Sequence, residues 1–112
     1  MGQYITRGDI VTVAAKGRYS GKPRPALILQ SDLFSALGSV TLCILTTDII
    51  DAPLFRLTVE PSPANGLLQT SQIMIDKIVT APQDTIGAPI GSHDREIKER
   101  ADRSLAVFLG IV

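Results

Sequence analysis

Soft metal ligands are almost missing from this chain, which has one cysteine, Cys43, and one histidine, His93. A single cysteine excludes an intrachain disulfide, and one residue of each kind argues against a dedicated zinc or iron–sulfur centre. Cys43 sits in the apolar run Val40-Thr41-Leu42-Cys43-Ile44-Leu45 and reads as a buried strand residue rather than a nucleophile. No tight acidic cluster suggests a carboxylate-bound Mg²⁺, so no metal or other cofactor is expected. No apolar stretch is long enough for a transmembrane helix. The opening Met1-Gly2-Gln3-Tyr4 lacks the basic-then-apolar layout of a secretory signal, which makes the cytoplasm the expected compartment. Net charge is missing too, with 11 Lys and Arg against 11 Asp and Glu, so the chain is no general polycation. It carries no P-loop, dinucleotide fingerprint or Ser-His-Asp arrangement.

What is present is an ordinary globular composition, 45% hydrophobic and 20% charged, over 112 residues. That length suits one domain, 1–112, around one core. The charge is unevenly placed. Residues 1–31 carry five bases and one acid, so the remainder is net negative by the same amount. Four of those bases, Lys16, Arg18, Lys22 and Arg24, fall within nine residues, with Tyr19 among them and no acid. A basic loop on a neutral body is a local electrostatic site.

Patterning predicts several short strands followed by one helix. Strands are expected over 10–14, 25–30, 40–47, 54–60 and 72–80, with a further short one over 66–69. In 54–60, Phe55, Leu57 and Val59 oppose Arg56, Thr58 and Glu60; in 72–80, Ile73, Ile75 and Lys77 oppose Met74, Asp76 and Ile78. Residues 32–37 suit one helical turn capped by Ser31 or Asp32, Asn65-Gly66 suits a turn, and 82–89 reads as irregular. Ser92 is the expected N-cap of the last element, with His93 serving the helix start, and Gly110 ends it. Ile97, Ala101, Leu105 and Phe108 recur at helical spacing as one apolar stripe. The fold class is mainly β, a small, strongly curved barrel-like sheet with a C-terminal α-helix.

Four blocks carry the functional signal: Arg7-Gly8-Asp9-Ile10-Val11; Gly21-Lys22-Pro23-Arg24-Pro25-Ala26-Leu27-Ile28-Leu29; Thr46-Thr47 at a strand end; and Ser71-Gln72-Ile73-Met74-Ile75-Asp76-Lys77-Ile78. Taken together and in this order, the chain resembles the MazF/PemK (Kid) toxins of type II toxin–antitoxin systems. Their typical forms are RGDIVWV, G-x-RPALV, a PxT[ST] strand end and S-x-[VI]-x-x-[DE]-Q-[IV]. The match runs from Arg7 to about residue 80. It departs from the family at Ala14-Ala15, where an Asp-Pro is usual, at the missing S-E-Q element of the loop, and at Lys77, where glutamine is usual. Base preference therefore does not carry over at Lys77.

The resemblance implies an SH3-like, CcdB-like barrel and a metal-independent, sequence-specific endoribonuclease that cuts single-stranded RNA. In that chemistry the 2′-hydroxyl attacks the adjacent phosphorus and leaves a cyclic phosphate and a 5′-hydroxyl. By resemblance Arg24 is the catalytic arginine and Thr46 the catalytic threonine. The physics fits, because a guanidinium fork meets two non-bridging oxygens at once and Pro23 and Pro25 stiffen the backbone beside it. Arginine is a poor general base, so the group that deprotonates the 2′-hydroxyl stays unassigned. Asp76 matches an acidic residue of the family's substrate groove, where it accepts from an exocyclic amine of a base. Lys16, Arg18, Tyr19, Lys22, Thr47 and Lys77 complete the RNA-binding set, with cations for phosphates and a ring for stacking. Without the resemblance, Arg24 reads equally as a solvated loop residue, Thr46 as an ordinary strand threonine and Asp76 as an outward carboxylate. The implied partners are RNA, a second copy of the chain in a homodimer and a cognate antitoxin; no membrane is implied. An alternative on the same scaffold is a non-enzymatic gyrase poison resembling CcdB, suggested by Asp48-Ile49-Ile50-Asp51-Ala52-Pro53 and by the Gly110-Ile111 ending. Leu109 stands where that family has an aromatic residue, and Val112 extends the end.

Overall fold

The structure is a computed structural model that describes residues 5–14, 23–92 and 94–111. Six strands and one long helix follow one another: β1 (Asp9–Val13), β2 (Arg24–Ile28), β3 (Ser39–Thr46), β4 (Arg56–Val59), β5 (Ser71–Pro82), β6 (Ile86–Ser92) and α1 (Arg95–Leu109). The strands form one antiparallel sheet in the order β4-β5-β3-β2-β1-β6. This confirms a mainly β fold with a C-terminal helix. The hydrogen-bonded sheet is open, with β4 and β6 at its edges. The two ends nevertheless approach, because the loop after β4 meets β6, where the Ser92 amide donates to the Ala64 carbonyl at 2.9 Å.

Both faces of the sheet are buried along most of its length, which accounts for the nearly unbroken apolar run in β3. Ile10, Leu27, Cys43, Leu45, Leu57, Val59, Ile73 and Ile75 share one face with Ile97, Ala101 and Leu105 of α1. The alternate positions, Val11, Val13, Ala26, Ile28, Val40 and Leu42, form a second cluster inside the curl. Each such aliphatic side chain contributes about 1.5–3 kcal/mol by leaving water.

The sheet curls at an irregularity in β5. Cys43 pairs with Ile78 but Leu45 pairs with Ile73, so residues 74–77 stand against Ile44 alone. Extra residues in one strand bend it and increase its twist. They also change the face on which later residues lie. Ile78 therefore packs with Ile73 and Ile75, and Lys77 is exposed, contrary to the strict alternation expected for 72–80.

Three further expectations are corrected. Residues 66–69 form no strand; Gly66 has φ +71°, and an added Cβ there would lie 2.1 Å from the Ile90 carbonyl oxygen. Residues 82–89 are not irregular, for they hold a 3₁₀ turn (Gln83–Thr85) and most of β6. Pro89 is tolerated there because β6 is an edge and its register with β1 is interrupted beside that pair. The N-cap of α1 is Asp94, whose Oδ1 accepts from the Ile97 amide at 2.8 Å; Ser92 instead ends β6. Of the predicted helix stripe, Ile97, Ala101 and Leu105 are buried, whereas Phe108 is 50% exposed. The 3₁₀ turn Asp32–Leu37 forms as expected, capped by the Ser31 hydroxyl, and Gly110 closes α1 in the left-handed region. His93 lies outside the described residues. Among the described residues no helix is long and apolar enough to cross a membrane.

Candidate active site

The curled inner face becomes polar at one end. Arg24 opens β2, is exposed, and is in register with Val13. Thr46 ends β3, is half-buried, and is in register with Gln72 of β5, which in turn is in register with Thr58 of β4. The β2–β3 ladder pairs Ala26 with Ile44, Leu27 with Cys43 and Ile28 with Leu42. Carried two residues further, this register sets Arg24 opposite Thr46. Antiparallel partners share a face. Arg24, Thr46, Gln72 and Thr58 thus form a row across four strands, on the face turned away from α1. Along the same face, Ala26 and half-buried Ile44 come next and fully buried Leu42 beyond them, so the row is the polar rim of an apolar surface.

The Thr46 hydroxyl is held in place. Its Oγ1 accepts from the Asp48 amide at 3.1 Å, which leaves its own O–H to be donated elsewhere. Thr47, the next residue, is exposed. Behind this turn lies an unforeseen pair of residues. Gln72 is only 3% exposed. Its Oε1 accepts from the Ile50 amide at 3.2 Å and from Arg56 Nη1 at 3.0 Å, while its Nε2 donates to the Ile50 carbonyl at 2.9 Å and to Thr58 Oγ1 at 3.2 Å. Arg56 Nη1 also donates to the Asp48 carbonyl at 3.0 Å. A glutamine in an otherwise apolar strand pattern was the available signal, but only the strand register shows what it faces.

Asp76 and Lys77 lie in the irregular stretch of β5, against Ile44, two residues along β3 from Thr46 or about 7 Å at strand spacing. Lys77 Nζ pairs with Asp76 Oδ2 at 2.6 Å. The other carboxylate oxygen, Oδ1, is buried and has no hydrogen-bond partner. Burial, and secondarily the charge of Asp76, push the Cys43 thiol up to about 12. A thiol so held is protonated at neutral pH, in keeping with a packing role. Lys16, Arg18, Tyr19 and Lys22 lie outside the described residues. Among the described residues, no three His, Cys, Asp or Glu side chains come together to hold a metal ion.

Arg7 of the first sequence block serves the fold. Its Nε donates to the Leu29 carbonyl at 2.9 Å and its Nη2 pairs with Asp102 of α1 at 2.7 Å, tying the chain before β1 to the helix. Beyond this tie, Leu29, Ile78, Leu105, Leu109 and Ile111 line a mainly apolar groove of about 340 Å³.

Residues 6–109 match the model of a family described as PemK-like, MazF-like toxin of type II toxin–antitoxin system. A protein named probable endoribonuclease MazF, from Mycolicibacterium smegmatis, is 50% identical over 107 residues, covering 96% of this chain and 98% of its own. Among solved structures, the Mycobacterium tuberculosis toxin MazF-mt6 superposes with a TM-score of 0.76 at 23% identity, covering 91% of this chain and 96% of its own. An endoribonuclease from a mycobacterial species, solved in complex with its cognate antitoxin, gives a TM-score of 0.72 at 23% identity over 95% of this chain and 93% of its own. At such identities these two structures speak for the fold.

Proposed function

Because the chain belongs to the PemK-like, MazF-like toxins of type II toxin–antitoxin systems, we propose that it is an endoribonuclease that cuts single-stranded RNA in the cytoplasm without a metal ion, so halting translation and growth. The 2′-hydroxyl of one nucleotide attacks the adjacent phosphorus as the bond to the 5′-oxygen breaks. The attacking hydroxyl gives up its proton and the leaving oxygen gains one. The products are a 2′,3′-cyclic phosphate and a 5′-hydroxyl end.

Charge grows on the non-bridging oxygens as the phosphorus becomes five-coordinate. Arg24 meets two of them with parallel N–H donors. Thr46 donates its hydroxyl hydrogen to the same phosphoryl group or holds the attacking sugar. Donors fixed before the reaction need no reorganisation as charge develops, which is the larger part of such catalysis. Asp76 accepts from an exocyclic amine of a bound base. Thr47, Lys77, Lys16, Arg18 and Lys22 serve phosphates, and Tyr19 stacks on a base.

The observation that supports this reading is the β2–β3 register, which, carried two residues past Ala26–Ile44, brings exposed Arg24 opposite half-buried Thr46, whose hydroxyl already accepts from the Asp48 amide. The Mycolicibacterium smegmatis homologue, named as a probable endoribonuclease, points the same way. A second copy of the chain covers the apolar end of α1 in a homodimer, and a cognate antitoxin segment lies over the basic loop and Arg24 and blocks them. In EDTA, the purified protein is expected to cleave single-stranded RNA. Arg24→Ala loses about 10²- to 10³-fold of that rate, the usual cost of one transition-state donor, with an unchanged circular-dichroism spectrum. Trapping of gyrase on DNA with RNA left intact would instead favour the CcdB-like reading.

A further inference from the structure

We infer that Gln72 and Arg56 are positioning residues for RNA cleavage, forming a clamp that fixes the turn after β3 and through it the Thr46 hydroxyl. The inference rests on the proposed role of Thr46. It goes beyond that role by assigning two residues that never touch the substrate.

The turn is unusual in being exposed yet held at successive backbone groups. Thr47, Asp48, Ile49 and Ile50 are all exposed. Loops of this kind are ordinarily held by few contacts and open easily. Here Thr46 Oγ1 takes the Asp48 amide, Arg56 takes the Asp48 carbonyl, and Gln72 takes both the amide and the carbonyl of Ile50. One contact joins the two clamp residues, from Arg56 Nη1 to Gln72 Oε1 at 3.0 Å. Arg56 Nη1 therefore spans the loop and the sheet.

Stability of the sheet does not demand this arrangement. Gln72 is flanked by buried Ser71 and Ile73, and its position would accept an aliphatic or β-branched side chain at lower desolvation cost. The buried amide is kept where every one of its groups meets the turn, Arg56 or Thr58. Its consequence is for Thr46. With the Asp48 amide fixed, one lone pair of the hydroxyl is occupied, and its hydrogen is restricted to the remaining directions, on the face shared with Arg24. Release the turn and the hydroxyl rotates freely. Misplacement of a reacting group by about 1 Å costs up to about 10²-fold in rate.

The test measures cleavage of a short single-stranded RNA containing a site mapped for the native enzyme, with slow reactions followed in enzyme excess. Binding is measured in parallel on the same oligonucleotide carrying a 2′-deoxy sugar at the cut position. Gln72→Met and Arg56→Met are expected to lower kcat by about 10- to 100-fold while KM and the Kd of the deoxy analogue stay within about threefold. Arg56→Lys, which keeps a charged donor, retains more activity than Arg56→Met. In a Thr46→Val background the clamp substitutions cost less than about threefold further, because there is no hydroxyl left to position. Should Gln72→Met fail to fold, the half-buried edge-strand residue Arg56 carries the same test. Native kcat in the clamp variants, or an equal loss in the Thr46→Val background, overturns the inference and leaves the ribonuclease reading standing. A fully active Thr46→Val protein overturns the inference together with the proposed role of Thr46, on which it rests.

Discussion

The contribution expected of Arg24 is a matter of geometry, two parallel donors held in one plane. Arg24→Lys keeps the charge but loses the planar pair of donors. It is expected to lose at least about tenfold in kcat with RNA affinity almost unchanged, as measured by single-turnover cleavage and fluorescence anisotropy. Cys43 packs in the core, and its effect on stability depends on pH. Its thiol is raised from an ordinary 9.0 to about 12, first by burial and then by Asp76. The native state therefore holds this proton more tightly than the unfolded chain. The stability it brings is fully present below pH 9 and is lost as the pH climbs from 9 towards 12, at up to about 1.4 kcal/mol per pH unit. Urea titrations across that range should show a flatter decline for Cys43→Ala, and the native thiol should resist alkylation at pH 7. At this scale the sequence was partly legible. Arg24, Thr46 and Asp76 are candidates that the motifs supply, and the burial of Cys43 followed from its apolar neighbours. The contacts of Gln72 and Arg56 were not legible, because they are made to backbone groups of a turn distant in sequence.

Among the elements, β6 and the loop after β4 depend on each other. Asn65 is buried and organises the loop, its Oδ1 accepting from the amides of Ser62 and Leu67 and its Nδ2 donating to the Glu60 carbonyl. Gly66 then turns with φ +71° directly against Ile90. Gly66→Ala pays both the left-handed strain and a clash with backbone that cannot withdraw. It is expected to lower stability by at least about 2 kcal/mol in chemical denaturation, where an exposed glycine in ordinary conformation would gain slightly. At the start of α1, Asp94→Ala should cost about 1 kcal/mol, and Ser92→Ala less than about 0.5 kcal/mol, which separates the observed cap from the one expected. The strands rich in β-branched and aliphatic residues were readable from the chain because propensity and burial agree there. β6 was not, since Gly87, Pro89 and Gly91 are signals of a loop, and only pairing with β1 makes a strand of them. The irregularity in β5 was equally silent, as alternation in 71–78 is compatible with an unbroken ladder.

For the whole molecule, one group of exposed apolar residues lies at the end of α1, where Val107, Phe108, Leu109 and Ile111 are 50–74% exposed beside the groove lined by Leu29 and Ile78. Contiguous apolar surface of this kind marks an interface. With a second copy seated there, light scattering after gel filtration should give twice the chain mass, and the paired change Leu109→Asp with Ile111→Asp should return the monomer. The curled sheet holds the two candidate catalytic side chains at the rim of its inner face, while α1 covers the outer one, so substrate and helix do not compete for surface. The central claim, that this rim cleaves RNA through the RNA's own 2′-hydroxyl, is most directly tested by mass spectrometry of the fragments formed in EDTA. The expected fragments carry 5′-hydroxyl and 2′,3′-cyclic phosphate ends, none forming from RNA with a 2′-deoxy sugar at the cut position, and the Arg24→Ala protein yields them about 10²- to 10³-fold more slowly. Fragments with 5′-phosphate ends, or cleavage that persists at a 2′-deoxy position, would contradict it.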